Sequence, residues 1–363
     1  MCIRDRAGWP LNVVLTPEGE PFYGMTYAPK DLFLGRMNEL ARQWQAQPDG
    51  IRAMARQAVT ELQPASATPA AVDLQQAVRQ LYREVAAEAD RFEGGLGTQA
   101  KFPRTPLLIA LLELQSAWPN DDIDAFLRTT LDAMADGGLR DGLKGGFFRY
   151  TVDPGWTHPH FEKMQYDNAL LARLYLQAAS HYDEPYYRQI GFDTLDFLLR
   201  FTAAGNGFYY SALSALDADG HEGGNYLWRA EELAAVLGEE EAERVLREWQ
   251  WGALEGLPGR FPTHIPLNDP ARETLAAAKP NPEPDVKTLT SWNALMLAAM
   301  AEAVSQPGGE RYRELALALA QVLWGRFDPQ NDRLLRDEGI DSLSLEDYAY
   351  LADALLRLSL IHI

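Results

Sequence analysis

Tyr166-Asp167-Asn168-Ala169-Leu170-Leu171 (YDNALL) opens a long apolar-periodic run. Related openings return as Ser291-Trp292-Asn293-Ala294-Leu295-Met296 (SWNALM) and Glu346-Asp347-Tyr348-Ala349-Tyr350-Leu351 (EDYAYL). Each puts a polar or aromatic group in the first turn of a predicted helix, followed by residues that are apolar nearly all round. Such a helix is buried, whereas an amphipathic one covers a surface, so their alternation predicts an inner ring of helices wrapped by an outer ring, an (α/α) toroid. In that arrangement first-turn side chains from separate hairpins converge on one face. An open superhelical stack of helical repeats is the competing architecture.

Outward from these stretches, leucine, alanine and aromatic residues recur at three- and four-residue steps from Val72 onward. The spacing predicts helices near 72–90, 105–117, 121–136, 162–181, 184–203, 229–238, 240–250, 290–305, 309–325 and 343–357. Glycine- and aromatic-rich connections separate them: FEGGLGTQAKFPR (92–104), LKGGFFRYTVDPGW (143–156), GNGFYYSALSALDADGHEGG (205–224) and DPQNDRLLR (328–336). Intervals of about 50–60 residues suit one helical hairpin plus a loop. Before Val72 the pattern is β, then α. A strand over Leu11–Leu15, a turn at Pro17-Glu18-Gly19-Glu20 and a strand over Phe22–Tyr27 predict a hairpin. A helical stretch from Asp31 to Leu62 follows, interrupted near Pro48-Asp49-Gly50, and the small, proline-bearing segment 63–71 reads as a linker.

The two ends read as one inverted repeat. Codons ATG-TGT-ATA-AGA-GAC-AG would encode the first residues, and their reverse complement CTG-TCT-CTT-ATA-CAC-AT would encode the last, so residues 1–6 and 358–363 are expected to be translated adapter. The single cysteine, Cys2, falls in that segment, which leaves no thiol for disulfides, thiolate metal sites or nucleophilic catalysis. A formal charge of −19 would repel phosphate backbones, so nucleic acid is not an expected partner. No run approaches the roughly 18 apolar residues of a membrane span, and the expected setting is cytoplasmic.

A family resemblance rests on a series of short motifs in order: Gly8-Trp9-Pro10-Leu11 with Pro21-Phe22 and Thr26-Tyr27; Ala100-Lys101-Phe102-Pro103; Gly145-Gly146-Phe147 with Arg149-Tyr150; Pro159-His160-Phe161-Glu162-Lys163-Met164 with Tyr166-Asp167; Asp217-Ala218-Asp219 with Glu222-Gly223; and Lys287 with Trp292-Asn293. Over residues 7–357 the chain resembles the thioredoxin-domain family related to spermatogenesis-associated protein 20. The resemblance implies the C-terminal part of a thioredoxin-like domain over 7–62, then a six-hairpin glycosidase-type (α/α)6 toroid over 72–357, incomplete at its C-terminus. It is similar in architecture to sugar epimerases such as N-acylglucosamine 2-epimerase. It also implies a cis bond at Pro10 and a paired-cysteine motif upstream of Gly8, and it gives His158 no role.

Chemistry concentrates in Trp156-Thr157-His158-Pro159-His160-Phe161-Glu162-Lys163-Met164-Gln165-Tyr166-Asp167, where two histidines, a lysine and two carboxylates crowd a helix entrance. With the helix starting at Phe161 or Glu162, the pairs Glu162/Tyr166 and Lys163/Asp167 share faces. A first-turn acid is favoured by the helix dipole alone. What points to catalysis is that these groups are flanked by glycine and aromatic loops, and proton transfer needs a histidine or carboxylate whose pKa is shifted by burial or neighbours. The expected catalytic residues are His160, Glu162 and Asp167. The expected substrate-binding residues are Lys101, Phe102, Arg149, Trp156, Lys163, Tyr166, Asp217, Asp219, Glu222, Lys287, Trp292, Asn293 and Asp347.

His158 and His160 are too few for a metal site, and His181, His221 and His264 lack ligand spacing. The segment Asp217–Glu222 resembles a calcium loop but lacks the acid at its twelfth position. No metal or cofactor is expected. The expected function is a carbohydrate-active enzyme domain, epimerase/isomerase- or glycosidase-like, using general acid/base chemistry on a sugar or similar polyhydroxylated small molecule. The competing reading is a recognition module that presents clients to the upstream redox domain.

Overall fold

The computed structural model describes residues 11–62, 73–254, 259–266, 268–342 and 344–360. Residues 1–6, Pro10 and the expected linker 63–71 lie outside the described residues. The chain divides into two compact units, Met1–Leu74 and Gln75–Ile363.

In the first unit Asn12–Leu15 pairs antiparallel with Pro21–Met25, with Asn12 opposite Met25 and Val14 opposite Tyr23. Helices α1 (Lys30–Ala46) and α2 (Pro48–Leu62) follow. The break falls at Gln47, and Pro48 opens α2, where its missing N–H needs no partner. Ile51 and Ala55, one turn apart on α2, are buried.

The second unit is mainly α, a toroid of α/α hairpins. Its helices are α3 (Leu74–Glu88), α4 (Thr105–Gln115), α5 (Asp121–Asp136), α6 (Gln165–Tyr182), α7 (Pro185–Phe201), α8 (Ala230–Leu237), α9 (Glu239–Glu248), α10 (Pro270–Ala278), α11 (Thr290–Val304), α12 (Arg313–Trp324) and α13 (Leu345–Leu360). α6 packs on both α4 and α11, and α11 packs on α13, which makes α4, α6, α11 and α13 a curved inner layer. α5, α7 and α12 back α4, α6 and α11 from outside. The residues explain this order: α6 and α11 are buried around most of their circumference, while α7 and α12 bury one face. Leu358, in the last turn of α13, is buried in the same core. Between α7 and α11, α8, α9, α10 and the hairpin Gln250–Ala253/Arg260–His264 form a smaller core around Trp228, Leu233, Val245, Trp249, Ile265 and Leu275. The periodicity did not predict α10. Among the described residues, no helix is long and apolar enough to cross a membrane.

Inner helices start where loop backbone is clamped to their first turn. Asn168, the fourth residue of α6, accepts the N–H of Phe147 at 2.6 Å and donates to the carbonyls of Phe147 and Met164, both at 2.9 Å. Asn293, the fourth residue of α11, accepts the N–H of Tyr209 at 2.9 Å and donates to the carbonyls of Tyr209 at 3.1 Å and Leu289 at 3.0 Å. In α13 the fourth residue is Tyr348, whose hydroxyl accepts the N–H of Leu334 at 3.2 Å. Asn168 and Asn293 are fully buried, where an unpaired amide would be costly. Gly146 lets the first clamp close, because a Cβ there would lie 2.4 Å from Phe197 and the backbone has φ +71°.

α6 begins at Gln165, later than the expected Phe161 or Glu162. The intervening backbone is committed to sheet: Tyr150 pairs with His160, and Lys163-Met164 pairs with Leu213-Ala212. Glu162 and Lys163 therefore sit before the helix, and the expected i, i+4 faces with Tyr166 and Asp167 do not form.

Candidate active site

The candidate site gathers at the N-terminal ends of α6 and α11. The third residue is Asp167 in α6, Trp292 in α11 and Asp347 in α13. The two aspartates share a position but not an environment. Asp347 is fully buried and saturated: Oδ1 accepts the N–H of Ser291 at 2.9 Å, and Oδ2 accepts the Ser342 hydroxyl at 2.6 Å and Arg336 Nη1 at 3.2 Å. Asp167 Oδ2 is buried with no hydrogen-bond partner. Burial pushes its carboxyl up to about 7, against the opposing pull of the Arg149 charge and a Tyr166 hydrogen bond, and the nearby Glu162 charge adds to the rise. A helix N-terminus alone would have lowered it.

A chain of contacts extends from Asp167. Tyr166, beside it, meets Trp292 with ring centroids 4.7 Å apart. Arg149 Nη1 donates to Glu162 Oε2 at 2.8 Å. His160 Nε2 lies 3.9 Å from that same oxygen, and its Nδ1 meets Glu222 Oε1 at 2.7 Å. The His160 ring lies against Tyr150, with centroids 5.1 Å apart, and Tyr150 stacks on the exposed Phe102 at 4.5 Å. The cross-strand register that puts Tyr150 opposite His160 explains this contact. Thus Phe102, Arg149, His160, Glu162, Tyr166, Asp167, Glu222 and Trp292 form one connected group.

The remaining expected residues lie elsewhere. Lys163 is buried, donating to Asp141 Oδ2 and the Gly145 carbonyl at 2.7 Å each, with its ammonium 4.3 Å from the Phe197 ring centre. Lys101 is fully buried against Asp90 at 2.7 Å and the Gly94 carbonyl. Trp156 is fully buried, and its indole N–H donates to the Glu93 carbonyl at 2.9 Å. Together with Asn293 and Asp347, these groups are engaged inside the protein. Lys287 is exposed and paired with Asp285 at 2.5 Å. Asp217 organises its own loop, accepting the N–H groups of Asp219 at 3.0 Å and His221 at 2.8 Å. The ligand atoms of Asp217, Asp219 and His221 lie within 4.8 Å of one another, and Asp219 and His221 face solvent.

Sequence reasoning passed over Asp141 and Asp90, the buried partners of Lys163 and Lys101. Tyr150, in the Arg149-Tyr150 motif, is not among the residues the sequence marks for the site. The available signal was the aromatic-rich run after Gly145-Gly146, in which Phe147-Phe148 turn out buried and Arg149-Tyr150 half-buried.

Residues 1–63 match the family Thioredox_DsbH, described as a protein of unknown function, DUF255. Human spermatogenesis-associated protein 20 is 28% identical over 97% of this chain and 54% of its own length. This chain is similar to spermatogenesis-associated protein 20. An uncharacterized protein of Caenorhabditis elegans is 26% identical over 97% of this chain and 57% of its own length. The chain thus spans about half the length of the curated relatives it matches. Among solved structures, a family 76 glycoside hydrolase from a bovine Bacteroides thetaiotaomicron strain superimposes with a TM-score of 0.50 at 10% identity, covering 80% of this chain and 52% of that one. That likeness concerns the fold.

Proposed function

We propose that the second unit is an enzyme domain acting on a sugar or similar polyhydroxylated small molecule by general acid/base chemistry. The observation that carries this reading is the contrast between Asp167 and Asp347. Where the fold uses a carboxylate at the third helical position for structure, it saturates both oxygens. At Asp167 it leaves Oδ2 buried and unpartnered, with the carboxyl raised to about 7. A carboxylic acid that still holds its proton near neutral pH can donate it to a leaving or carbonyl oxygen.

Arg149, tied to Glu162, offers a cation beside that acid for a developing oxyanion. Tyr166 and Trp292 present aromatic surface next to it, and Phe102 and Tyr150 present more on the His160 side. Sugar rings bind such faces through their C–H surfaces while carboxylates and guanidinium take the hydroxyls. The glycoside hydrolase named above shares only the fold, so the substrate class rests on these side chains. The test is a panel of mono- and oligosaccharides, scored by thermal shift and by turnover, with wild type beside Asp167→Asn. Turnover lost in the variant while binding persists is the expected result; a panel silent in both assays for the wild type would overturn the proposal.

A further inference from the structure

The geometry points to Glu222 as the positioning residue of His160, presenting the Nε2 lone pair of that ring to the substrate as the base of the site. This assignment rests on the acid/base reading above and adds the second half of the proton pair.

An ionised carboxylate only accepts hydrogen bonds, so the 2.7 Å contact between Glu222 Oε1 and His160 Nδ1 requires the proton on Nδ1. In the neutral ring Nε2 then carries the lone pair. Its nearest acidic neighbour, Glu162 Oε2, lies at 3.9 Å, beyond hydrogen-bond reach, and is already accepting from Arg149. In that tautomer the Nε2 lone pair meets no hydrogen-bond donor among the described residues, and the Glu162 oxygen nearest to it is the one that Arg149 binds.

The loop that delivers Glu222 is anchored to the residue after His160. Gly223 lies so close to the Phe161 ring that a Cβ would stand 2.7 Å from it, and Phe161 is buried. Leu216 bridges to Glu222 across the loop, and Asp217 ties its turn together. The ring plane is held separately by Tyr150. A base whose second nitrogen is fixed by a carboxylate and whose ring is fixed by packing is the arrangement proton abstraction requires. The step assigned is one proton transfer: the O–H bond of a substrate hydroxyl breaks, an Nε2–H bond forms, and the electron pair stays on the substrate oxygen.

The experiment is long-range 1H–15N NMR of the full chain labelled at histidine, with His160 assigned by a His160→Gln variant. The expected result is the Nδ1–H form for His160 at neutral pH, lost in Glu222→Ala and kept in Asp219→Ala, which alters the same loop without touching the ring. An Nε2–H form in the wild type, or a tautomer unmoved by Glu222→Ala, would overturn the assignment. No substrate enters this measurement, so its failure would leave Asp167 as the acid standing. A saccharide panel without response would remove the acid/base reading while the tautomer remained as found.

Discussion

Asn168 and Asn293 make the same set of three hydrogen bonds, each from the fourth residue of an inner helix, to the loop strand before it and to the residue four positions upstream. The ring is thus jointed by a repeated side-chain-to-backbone clamp. Replacing either by alanine strands buried N–H and C=O groups, at a cost on the order of 2–3 kcal/mol each. Urea unfolding of Asn168→Ala and Asn293→Ala should show a lower midpoint with an unchanged slope. Midpoints at the wild-type value would mean the clamps are not needed.

Asp167 should leave a mark on the pH dependence of stability. Its folded value, about 7, lies above that of an unfolded aspartate, so the native state binds the extra proton in between. Stability therefore declines as pH rises from about 4 to 7 and stays lowered above, by up to roughly 4 kcal/mol. Asp167→Asn removes that loss. The variant should unfold at higher denaturant than wild type at about pH 8, with the gap closing in acid.

Arg149 holds Asp167 down, since its charge opposes the effect of burial. In Arg149→Met the Asp167 carboxyl should titrate at higher pH, and more so because Glu162 loses its partner. Carboxyl 13C NMR reads this directly. A midpoint that falls or stays fixed would contradict the described electrostatics.

Lys163 tests the difference between a lysine that faces ligand and one that braces the interior. Lys163→Met strands the buried Asp141 and should cost about 3–5 kcal/mol. Adding Asp141→Leu should return part of that loss. The cycle is read from unfolding midpoints, and additive losses would show that the pair does not interact.

The inner helices were legible because YDNALL and SWNALM are apolar on nearly every face, a pattern surface helices lack. α10 escaped because Pro270–Ala278 is short and sits in an insertion with its own small core. The start of α6 was misplaced because nothing local shows that Lys163-Met164 will find Leu213-Ala212 as sheet partners. For the same reason Lys163 and Lys101 read as ligand-facing cations: their carboxylate partners are fixed by tertiary packing, and sequence spacing does not mark them. Asp167 and Asp347 look alike in sequence, and only the donors around them, Arg336, Ser342 and Ser291 for one and none for the buried oxygen of the other, tell them apart.

The tyrosine hydroxyl that stands in for an asparagine amide at the third joint has an evolutionary corollary. Because the joint itself is made by the fourth residue, the third can be spent differently at each helix: Asp347 is committed to holding α13 to Ser291 of α11, whereas Asp167 and Trp292 are left over from that duty. Exchange of that neighbour is tolerated by the framework at the α6 and α11 joints and not at α13, where the aspartate is itself a fastening.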